Sequence, residues 1–323
     1  MSGLRTILAA LAAILLVVSF SAPASAQLLG NVRTFVSSTG SDGDSCNTRA
    51  QACATFQRAL DQVIINGEIN CLDTYTYGAI GLQITKSVTI NCTGTVGSQS
   101  GLNSDATAGV AISINIPVGS PNDPNRTVRL RGLSLTGTFN NGARFALRGI
   151  EVIAASAVFV ENVVISDFAQ QGISDHRTGG QTRLYISDSV IRNNGTVGIA
   201  LGSQGPSATV LDNVILEHNS YGLGAGNGNS VTINRSVISG NSTAGVEADP
   251  GAQIMVNTSG ISHNNLGVQS ASSVRLSNTD IAFNNTAISG PTGSFGNNRL
   301  SGNGAAGTNL IPLGGPSSDV AQQ

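Results

Sequence analysis

The sequence is poor in positive charge and in aromatic residues. Of its 323 residues only 11% are charged and 4% are aromatic, none is tryptophan, and Lys86 is the only lysine. A nucleic-acid partner requires concentrated Lys and Arg to neutralise its phosphates, so we expect no nucleic-acid binding. The 40 glycines and the net charge of −2 are typical of a turn-rich folded chain rather than a disordered one.

Motifs for metals and cofactors are absent as well. A zinc site needs closely spaced cysteines or histidines, whereas the four cysteines here have no CxxC spacing and no histidine beside them. The sequence therefore predicts neither a metal site nor a cofactor.

Residues 1–26 have the composition of a secretory signal peptide. Arg5 precedes an apolar run over 7–20, and Ala24-Ser25-Ala26 forms a cleavage site before Gln27. The run is too short for a comfortable membrane span, and no cysteine follows the cleavage point. We expect a secreted or periplasmic protein without a membrane anchor once the signal is removed.

One short pattern recurs from Val128 to the C-terminus. Each copy has two alternating apolar residues, a hydrophobic anchor, an asparagine turn and a glycine. Counted from Leu135, the anchors are 30, 26, 24, 23, 23, 20 and 19 residues apart. They are Ile165, Ile191, Ile215, Ile238, Ile261, Ile281 and Leu300. A period in the twenties with strands inside each unit predicts a solenoid whose stacked repeats bury one another.

The aligned copies form columns. Residues seven and five places before each anchor are apolar and share one face of a strand, so we expect them to fill the interior. These columns are Val128, Val158, Leu184, Ala208, Val231, Ile254 and Val274, and Leu130, Val160, Ile186, Val210, Ile233, Val256 and Leu276. Three places after the anchors, a corner column is predicted to form a ladder of side-chain amides. It contains Asn194, His218, Asn241, Asn264, Asn284 and Asn303.

The N-terminal third follows the same plan. The tripeptides at 69–71 and 90–92 are both Ile-Asn-Cys and lie 21 residues apart, which is one coil. Before them, 55–63 has a helical period and is predicted to cap the open end of the solenoid. The chain then divides into a signal peptide (1–26), an N-terminal strand, loop and capping α-helix (27–66), a β-helix (67–303) and a flexible C-terminal tail (304–323).

The predicted fold class is all-β, a single-stranded parallel β-helix, because short strands run in one sense through coils of a little over twenty residues. The chain resembles the right-handed β-helix proteins of the pectin-lyase-like superfamily from roughly Ile69 to Leu300. The resemblance implies a right-handed coil, in agreement with the rule for parallel crossovers. It rests on the repeat pattern, since Asn278-Thr279-Asp280 matches the NTD motif of polygalacturonases without their other motifs.

Cysteines of an exported protein are more often paired than free. Cys71 and Cys92 occupy one column in adjacent coils, a separation that suits a disulfide. Cys46 and Cys53 would close a small loop. The alternative is a pair of stacked free thiols at Cys71 and Cys92.

Two outward surfaces carry candidate functional residues. The first surface holds Arg129, Arg131, Phe159 and Tyr185, on the strands before the anchors. Stacked aromatic rings beside guanidinium groups form a shelf for an acidic sugar chain. The alternatives are a solvated face with incidental aromatics, or contact with the loop at 117–126.

The second surface lies on the strands after the glycines. Arg148 is predicted to bind substrate, and Glu151, Asp175, His176 and Arg177 are predicted to be catalytic. Elimination or epimerisation of a uronate needs a base and a cation that holds the carboxylate, and glycoside hydrolysis needs two carboxylates. The column of Asp175 is otherwise small or apolar, so a charged residue there needs either a local partner or a function. The alternative to catalysis is a turn in which Asp175 and Arg177 pair after the strand has ended.

These features favour a monomeric, exported protein that binds a polysaccharide, either acidic or neutral, and that also processes it if the second surface is catalytic. The resemblance implies an alternative, a polysaccharide lyase, C5-epimerase or glycoside hydrolase acting on uronate-containing glycans. A third hypothesis is a cell-surface structural or adhesive protein in which the solenoid is only a rigid rod.

Overall fold

The computed structural model describes residues 30–78, 81–100, 109–137, 139–140, 143–178, 181–202 and 207–314. The predicted signal peptide and the last nine residues of the predicted tail lie outside these ranges. The described chain winds through three faces, which we name A, B and C, and then enters the next coil. Strands on each face pair in parallel with those of the neighbouring coils.

Faces A and B form one continuous sheet and face C forms a second. Face A contains β1 (Asn31–Val36), β2 (Val63–Cys71), β5 (Val88–Asn91), β8 (Thr127–Arg131), β13 (Ala157–Glu161), β20 (Asn229–Asn234), β23 (Gln253–Asn257), β26 (Ser273–Ser277), β29 (Thr292–Ser294) and β32 (Ile311–Pro312). Face B contains β3 (Tyr75–Thr76), β6 (Gly97–Ser100), β9 (Leu133–Thr136), β14 (Val164–Ser166), β21 (Val237–Ser239), β24 (Gly260–Ser262), β27 (Asp280–Ala282) and β30 (Arg299–Ser301). The long strands β16 (Thr182–Arg192) and β18 (Ser207–Glu217) cross from face A to face B.

Face C contains β4 (Leu82–Ile84), β7 (Val110–Asn115), β12 (Arg148–Ala154), β15 (Ile173–Asp175), β17 (Val197–Leu201), β19 (Tyr221–Ala225), β22 (Ala244–Ala248), β25 (Leu266–Ser270), β28 (Thr286–Ser289) and β31 (Ala305–Gly307). An antiparallel pair, β10 (Phe139–Asn140) and β11 (Ala143–Arg144), stands apart from the faces. The predicted fold is therefore confirmed: the chain is a right-handed parallel β-helix of about nine turns.

The interior is filled by the predicted apolar columns, with one exception. Val158, Val160, Ile186 and Ile233 are all buried, which follows from their alternation along the strands. In β18 the prediction is wrong by one residue. The side chains that point inward there are Thr209, Leu211 and Leu216, and not Ala208, Val210 and Ile215.

The pairing explains this difference, because Ile191 lies beside Leu216 and Ile186 beside Leu211. Alternation reverses every side chain when the register moves by one residue. The observed register buries two leucines at the expense of also burying Thr209. The coil between β16 and β18 therefore contains one residue more than the anchors predicted.

The amide ladder at the corner between faces B and C is present. Side-chain nitrogens donate to the amide oxygens of the next coil at 2.9–3.3 Å. The ladder consists of Asn194, Asn219, Asn241, Asn264, Asn284 and Asn303. His218 was wrongly assigned to it, because the shift in β18 places Asn219 there. His218 instead occupies the preceding left-handed position, with φ of 54°.

The N-terminal segment contains helix α1 (Phe56–Gln62), and a single 3₁₀ turn precedes it at Arg49–Gln51. The Thr55 side chain caps α1 by accepting a hydrogen bond from the Arg58 amide. Phe56 is buried and contacts Tyr77 edge to face, with ring centres 5.0 Å apart. The helix packs against the first coil, and its role as an end cap stays a prediction.

The strands extend beyond both predicted boundaries of the β-helix. At the N-terminal end β1 already pairs with β2, and at the C-terminal end β31 pairs with β28 and β32 with β29. On face C the last coil has only the small residues of β31, Ala305–Gly307, which is why its sequence resembles a tail. Parallel backbone pairing nevertheless continues as far as Pro312.

Both predicted disulfides are formed. Cys46 pairs with Cys53 and Cys71 pairs with Cys92, with Cα atoms 5.0 and 4.8 Å apart. Paired cysteines are typical of proteins that fold in an oxidising compartment. Among the described residues, no helix is long and apolar enough to cross a membrane.

Candidate functional site

The first predicted surface forms a continuous ladder on face A. Arg129, Phe159 and Tyr185 lie side by side in three successive coils. The Arg129 guanidinium lies 3.8 Å from the centre of the Phe159 ring. The Phe159 and Tyr185 rings stack with centres 5.0 Å apart and planes inclined by 8°. Their strand neighbours Val158 and Val160 point inward, so the ladder faces outward.

The arginines around the ladder differ in their charge partners. Arg131 forms an ion pair with Glu161, with Nε 2.8 Å from Oε2. Arg129 and Arg183 have no carboxylate within 4 Å in the part of the chain that the structure describes. Two positive charges next to the aromatic rings are therefore not neutralised by a neighbouring carboxylate.

The second predicted surface is divided into an outer and an inner group. The outer group lies on face C, where Arg148 Nη1 is 3.1 Å from Glu151 Oε1. The Arg148 Nε atom also donates to Gln171 Oε1 at 2.9 Å. His176 Nε2 lies 3.8 Å from Glu151 Oε1 and 2.7 Å from Ser174 Oγ. Three predicted residues, Arg148, Glu151 and His176, are thus brought together.

Ser174 was not predicted as part of this group. Its signal in the sequence is weak, because serine is frequent at turns and strand ends throughout the chain. Its position two residues before His176 places both on one side of the chain, and its hydroxyl contacts the imidazole ring directly.

The inner group consists of Asp175 and Arg177. Asp175 lies beside Val152 and Leu201 in an inward column. Its carboxylate accepts two hydrogen bonds from the Arg177 guanidinium, from Nε at 2.8 Å and from Nη2 at 2.6 Å. The side chains of Arg177 and Asp175 are only 2% and 5% exposed. Asp175 and Arg177 therefore pair with each other, as the alternative predicts, but Asp175 still belongs to β15 and both side chains are in the interior rather than in a turn beyond the strand.

A third polar group on face C was missed. Glu247 lies in the same outward column as Glu151, four coils further on. It accepts a hydrogen bond from Gln269 at 3.2 Å. Burial raises its pKa, and the nearby charge of Asp249 adds to the effect. Burial also raises the pKa of Tyr221, with Glu247 and Asp249 contributing. The sequence signal was the pair of acids at 247 and 249.

Within the described ranges, no three His, Cys, Asp or Glu side chains are grouped so as to hold a metal ion. The polar groups on faces A and C instead provide arginine, carboxylate, imidazole and aromatic side chains.

Comparison with known proteins agrees with the fold. Residues 128–287 match the family model described as right handed beta helix region. The structure is similar to the A-module of mannuronan C-5 epimerase AlgE4 from Azotobacter vinelandii, with a TM-score of 0.53 and 16% identity, covering 76% of this chain and 83% of that one.

Two other solved structures are similar. Pectate lyase Pel9A has a TM-score of 0.53 and 12% identity, covering 90% of this chain and 81% of that one. The XylC structure in complex with xylose has a TM-score of 0.58 and 9% identity, covering 83% of this chain and 68% of that one. At these identities the similarity concerns the fold alone. No curated protein sequence matches this chain.

Proposed function

We propose that this β-helix is an exported protein that binds an acidic polysaccharide along face A. The observation that carries the proposal is the outward ladder of Arg129, Phe159 and Tyr185, with its measured stacking. A sugar ring presents an apolar C–H face to an aromatic ring, and a uronate adds a carboxylate that matches a guanidinium group.

The electrostatics of face A favour an anionic ligand. Arg129 has no carboxylate within 4 Å in the described chain, and the same holds for Arg183, two residues before Tyr185 on the same strand. Arginine is suited to this task because its planar fork binds a carboxylate through two hydrogen bonds while its face stacks on an aromatic ring. The similar structures support the class of ligand, since two are named for mannuronan and pectate and the third is a xylose complex.

A glycan array tests the proposal. The wild-type protein is expected to bind uronate-containing glycans, and Phe159→Ala or Tyr185→Ala should each weaken binding roughly tenfold or more, as for a central contact. Phe283→Ala is the matched control, because Phe283 is an aromatic residue that is 61% exposed at another corner. Absence of binding to every acidic or neutral glycan would refute the proposal.

The proposed localisation follows from the predicted signal peptide and agrees with the two disulfides. N-terminal sequencing of the protein from the periplasm or medium should begin at Gln27. Light scattering is expected to give the mass of a monomer.

A second function, cleavage or epimerisation of the bound glycan, is favoured by one observation. Glu151, Ser174 and His176 are in contact on face C, with Arg148 beside the carboxylate. In this function His176 or Glu151 exchanges the proton with the sugar and Arg148 holds a uronate carboxylate. An assay for reducing ends and unsaturated products detects cleavage, and proton NMR of the uronate composition detects epimerisation. Comparing the wild type with Glu151→Gln and His176→Ala in both assays decides between binding and catalysis.

A further inference from the structure

A cavity of about 450 Å³ lies at the corner where face C passes into face A. Its walls combine apolar and polar side chains, among them Val118, Arg126, Ile153, Gln181 and Thr182. Val118 is 84% exposed and Ile153 is 43% exposed. Large apolar side chains at the mouth of a cavity, next to an arginine, are the surroundings that a charged sugar ring requires.

Arg126 is held firmly in this cavity. Its backbone has φ of 44°, a left-handed conformation that is uncommon for a residue with a side chain. The buried carboxylate of Asp123 fixes it, because Asp123 Oδ1 accepts hydrogen bonds from the Arg126 amide at 3.0 Å and from Ser87 Oγ at 2.6 Å. The backbone of Ser156 donates to the Arg126 carbonyl at 2.8 Å. These contacts fix the point at which the Arg126 side chain leaves the backbone.

The guanidinium of Arg126 retains donors for a ligand. Its Nη2 atom donates to Ser156 Oγ at 2.7 Å, and no carboxylate of the described chain lies within 4 Å of it. The neighbouring Arg177 is different, because Asp175 neutralises it and its Nη1 atom donates to the Arg183 carbonyl at 3.1 Å. Arg126 is therefore the cavity residue with a charge still to be matched.

The cavity adjoins the ladder on face A. Arg126 immediately precedes β8 and lies three residues before Arg129. Thr182 begins β16 and lies three residues before Tyr185. At about 3.3 Å per residue, this separation is roughly 10 Å. Between the cavity and Phe159 the outward position is held by the small side chain of Ala157, with Arg183 beside it in the next coil.

We propose that this cavity is a subsite for one uronate unit of the same glycan whose other units stack on the ladder. Arg126 binds the carboxylate of that unit, Gln181 donates to its hydroxyl groups, and Ile153 and Val118 cover its apolar face. The inference rests on the proposed function of face A and adds to it a position that requires a carboxylate.

Isothermal titration with oligogalacturonate and oligomannuronate, and with the same oligosaccharides after carboxyl reduction, tests the subsite. Arg126→Gln should weaken binding of the uronate forms by roughly tenfold to a hundredfold, the effect of one charge-assisted hydrogen bond. It should leave binding of the reduced forms nearly unchanged. Arg126→Lys should restore part of the loss. Arg144→Gln is the matched control for net charge, since Arg144 lies in the β10–β11 pair, away from face A, and donates to Asn193 at 2.8 Å.

A second variant protects the test against misfolding of Arg126→Gln. Val118→Glu changes an exposed side chain and places a negative charge at the mouth of the cavity, so it should weaken uronate binding while the melting temperature stays unchanged. The subsite is refuted if Phe159→Ala abolishes binding while Arg126→Gln and Val118→Glu leave it intact. Absence of any binding by the wild type overturns both the function of face A and the subsite. If Arg126→Gln loses the same affinity for uronate and for reduced oligosaccharides, the subsite is also refuted.

Discussion

Arg129 and Arg177 show how the β-helix gives the same residue two roles. Arg177 is inside, 2% exposed, and its charge is matched by Asp175. Arg129 is outside, stacked on Phe159, and faces no carboxylate within 4 Å in the described chain. Arg177 is therefore used in an internal ion pair, whereas the guanidinium group of Arg129 is available to a ligand.

The difference originates in the alternation of side chains along a strand. In β15 both Ser174 and Asp175 are buried, but Asp175 lies in the inward column of Val152 and Ser174 in the outward column of Glu151. The same rule places Phe159 between two buried valines. A charged residue in an inward column must carry its partner with it, because an isolated buried charge is strongly unfavourable. On this solenoid, chemical character alone therefore does not identify a functional residue. The direction of its column, inward or outward, must be known as well.

The largest effect is expected when a charge enters the interior without a partner. Ile233→Asp should destabilise the protein by about 4 kcal/mol or more, since it removes a buried side chain and inserts an unpaired carboxylate. Ile186→Asp should behave in the same way. Thr232→Asp, one residue away and facing outward, should change stability by about 0.5 kcal/mol or less. Urea denaturation measures all three, and similar midpoints for Ile233→Asp and Thr232→Asp would contradict the column assignment.

A slightly smaller effect is expected when the inner ion pair is broken. Asp175→Ala leaves the Arg177 charge buried and should cost about 3–5 kcal/mol. The double variant Asp175→Leu with Arg177→Met should recover most of this loss, because its column neighbours Val152 and Leu201 are apolar.

The outer ion pair provides the control. Glu161→Ala exposes Arg131 to solvent and should cost about 1 kcal/mol or less. If Asp175→Ala were as mild as Glu161→Ala in the same denaturation experiment, the inner pair would not have the structural role assigned to it.

Removing the outward cation is expected to separate stability from binding. Arg129→Gln removes a cation–π contact at a partly exposed site, which contributes about 0.5–1 kcal/mol. Its effect on the affinity for a uronate oligosaccharide should be larger, because the guanidinium also meets the carboxylate. Parallel melting and titration experiments compare the two effects, and a loss of stability without a loss of affinity would remove Arg129 from the binding surface.

The sequence predicted the repeat, the interior columns and the ladder on face A because each rests on a period that many coils repeat. It failed in β18, where Leu211 and Leu216 compete with Val210 and Ile215 for the interior and both registers alternate correctly. Only the pairing with β16 decides between them. The same one-residue shift explains why His218 was wrongly predicted to belong to the amide ladder.

The candidate sites were predicted less completely. Residue types predicted that Glu151 and His176 lie close together, and the structure places them so. The column of Asp175 was also aligned as observed, but that column points inward, so Asp175 belongs to the core. Glu247 and Tyr221 were missed because they belong to different coils and no local motif connects them. Contacts between coils depend on three-dimensional stacking, and a single sequence does not display them.

The smallest effect concerns Glu247, an outward carboxylate that, unlike Glu161, has no arginine within 4 Å in the described chain. Burial raises its pKa, and Asp249 adds to the shift. The folded protein therefore binds this proton more tightly than the unfolded chain. The resulting stabilisation is fully present below the unfolded pKa and is lost as the pH rises through the folded pKa.

The Glu247→Gln side chain does not ionise, so the variant does not lose this stability as the pH rises. It also keeps an oxygen that can contact Gln269. At about pH 7 the variant should be more stable than the wild type by a few tenths of a kcal/mol, the size of a surface substitution. At a pH of about 3.5, below the usual pKa of a glutamate, the difference should vanish. Glu161→Gln, which loses its ion pair with Arg131, should not be stabilised at about pH 7. Denaturation at the two pH values measures the effect, and a gain that is equal at both would show that the Glu247 charge is not its cause.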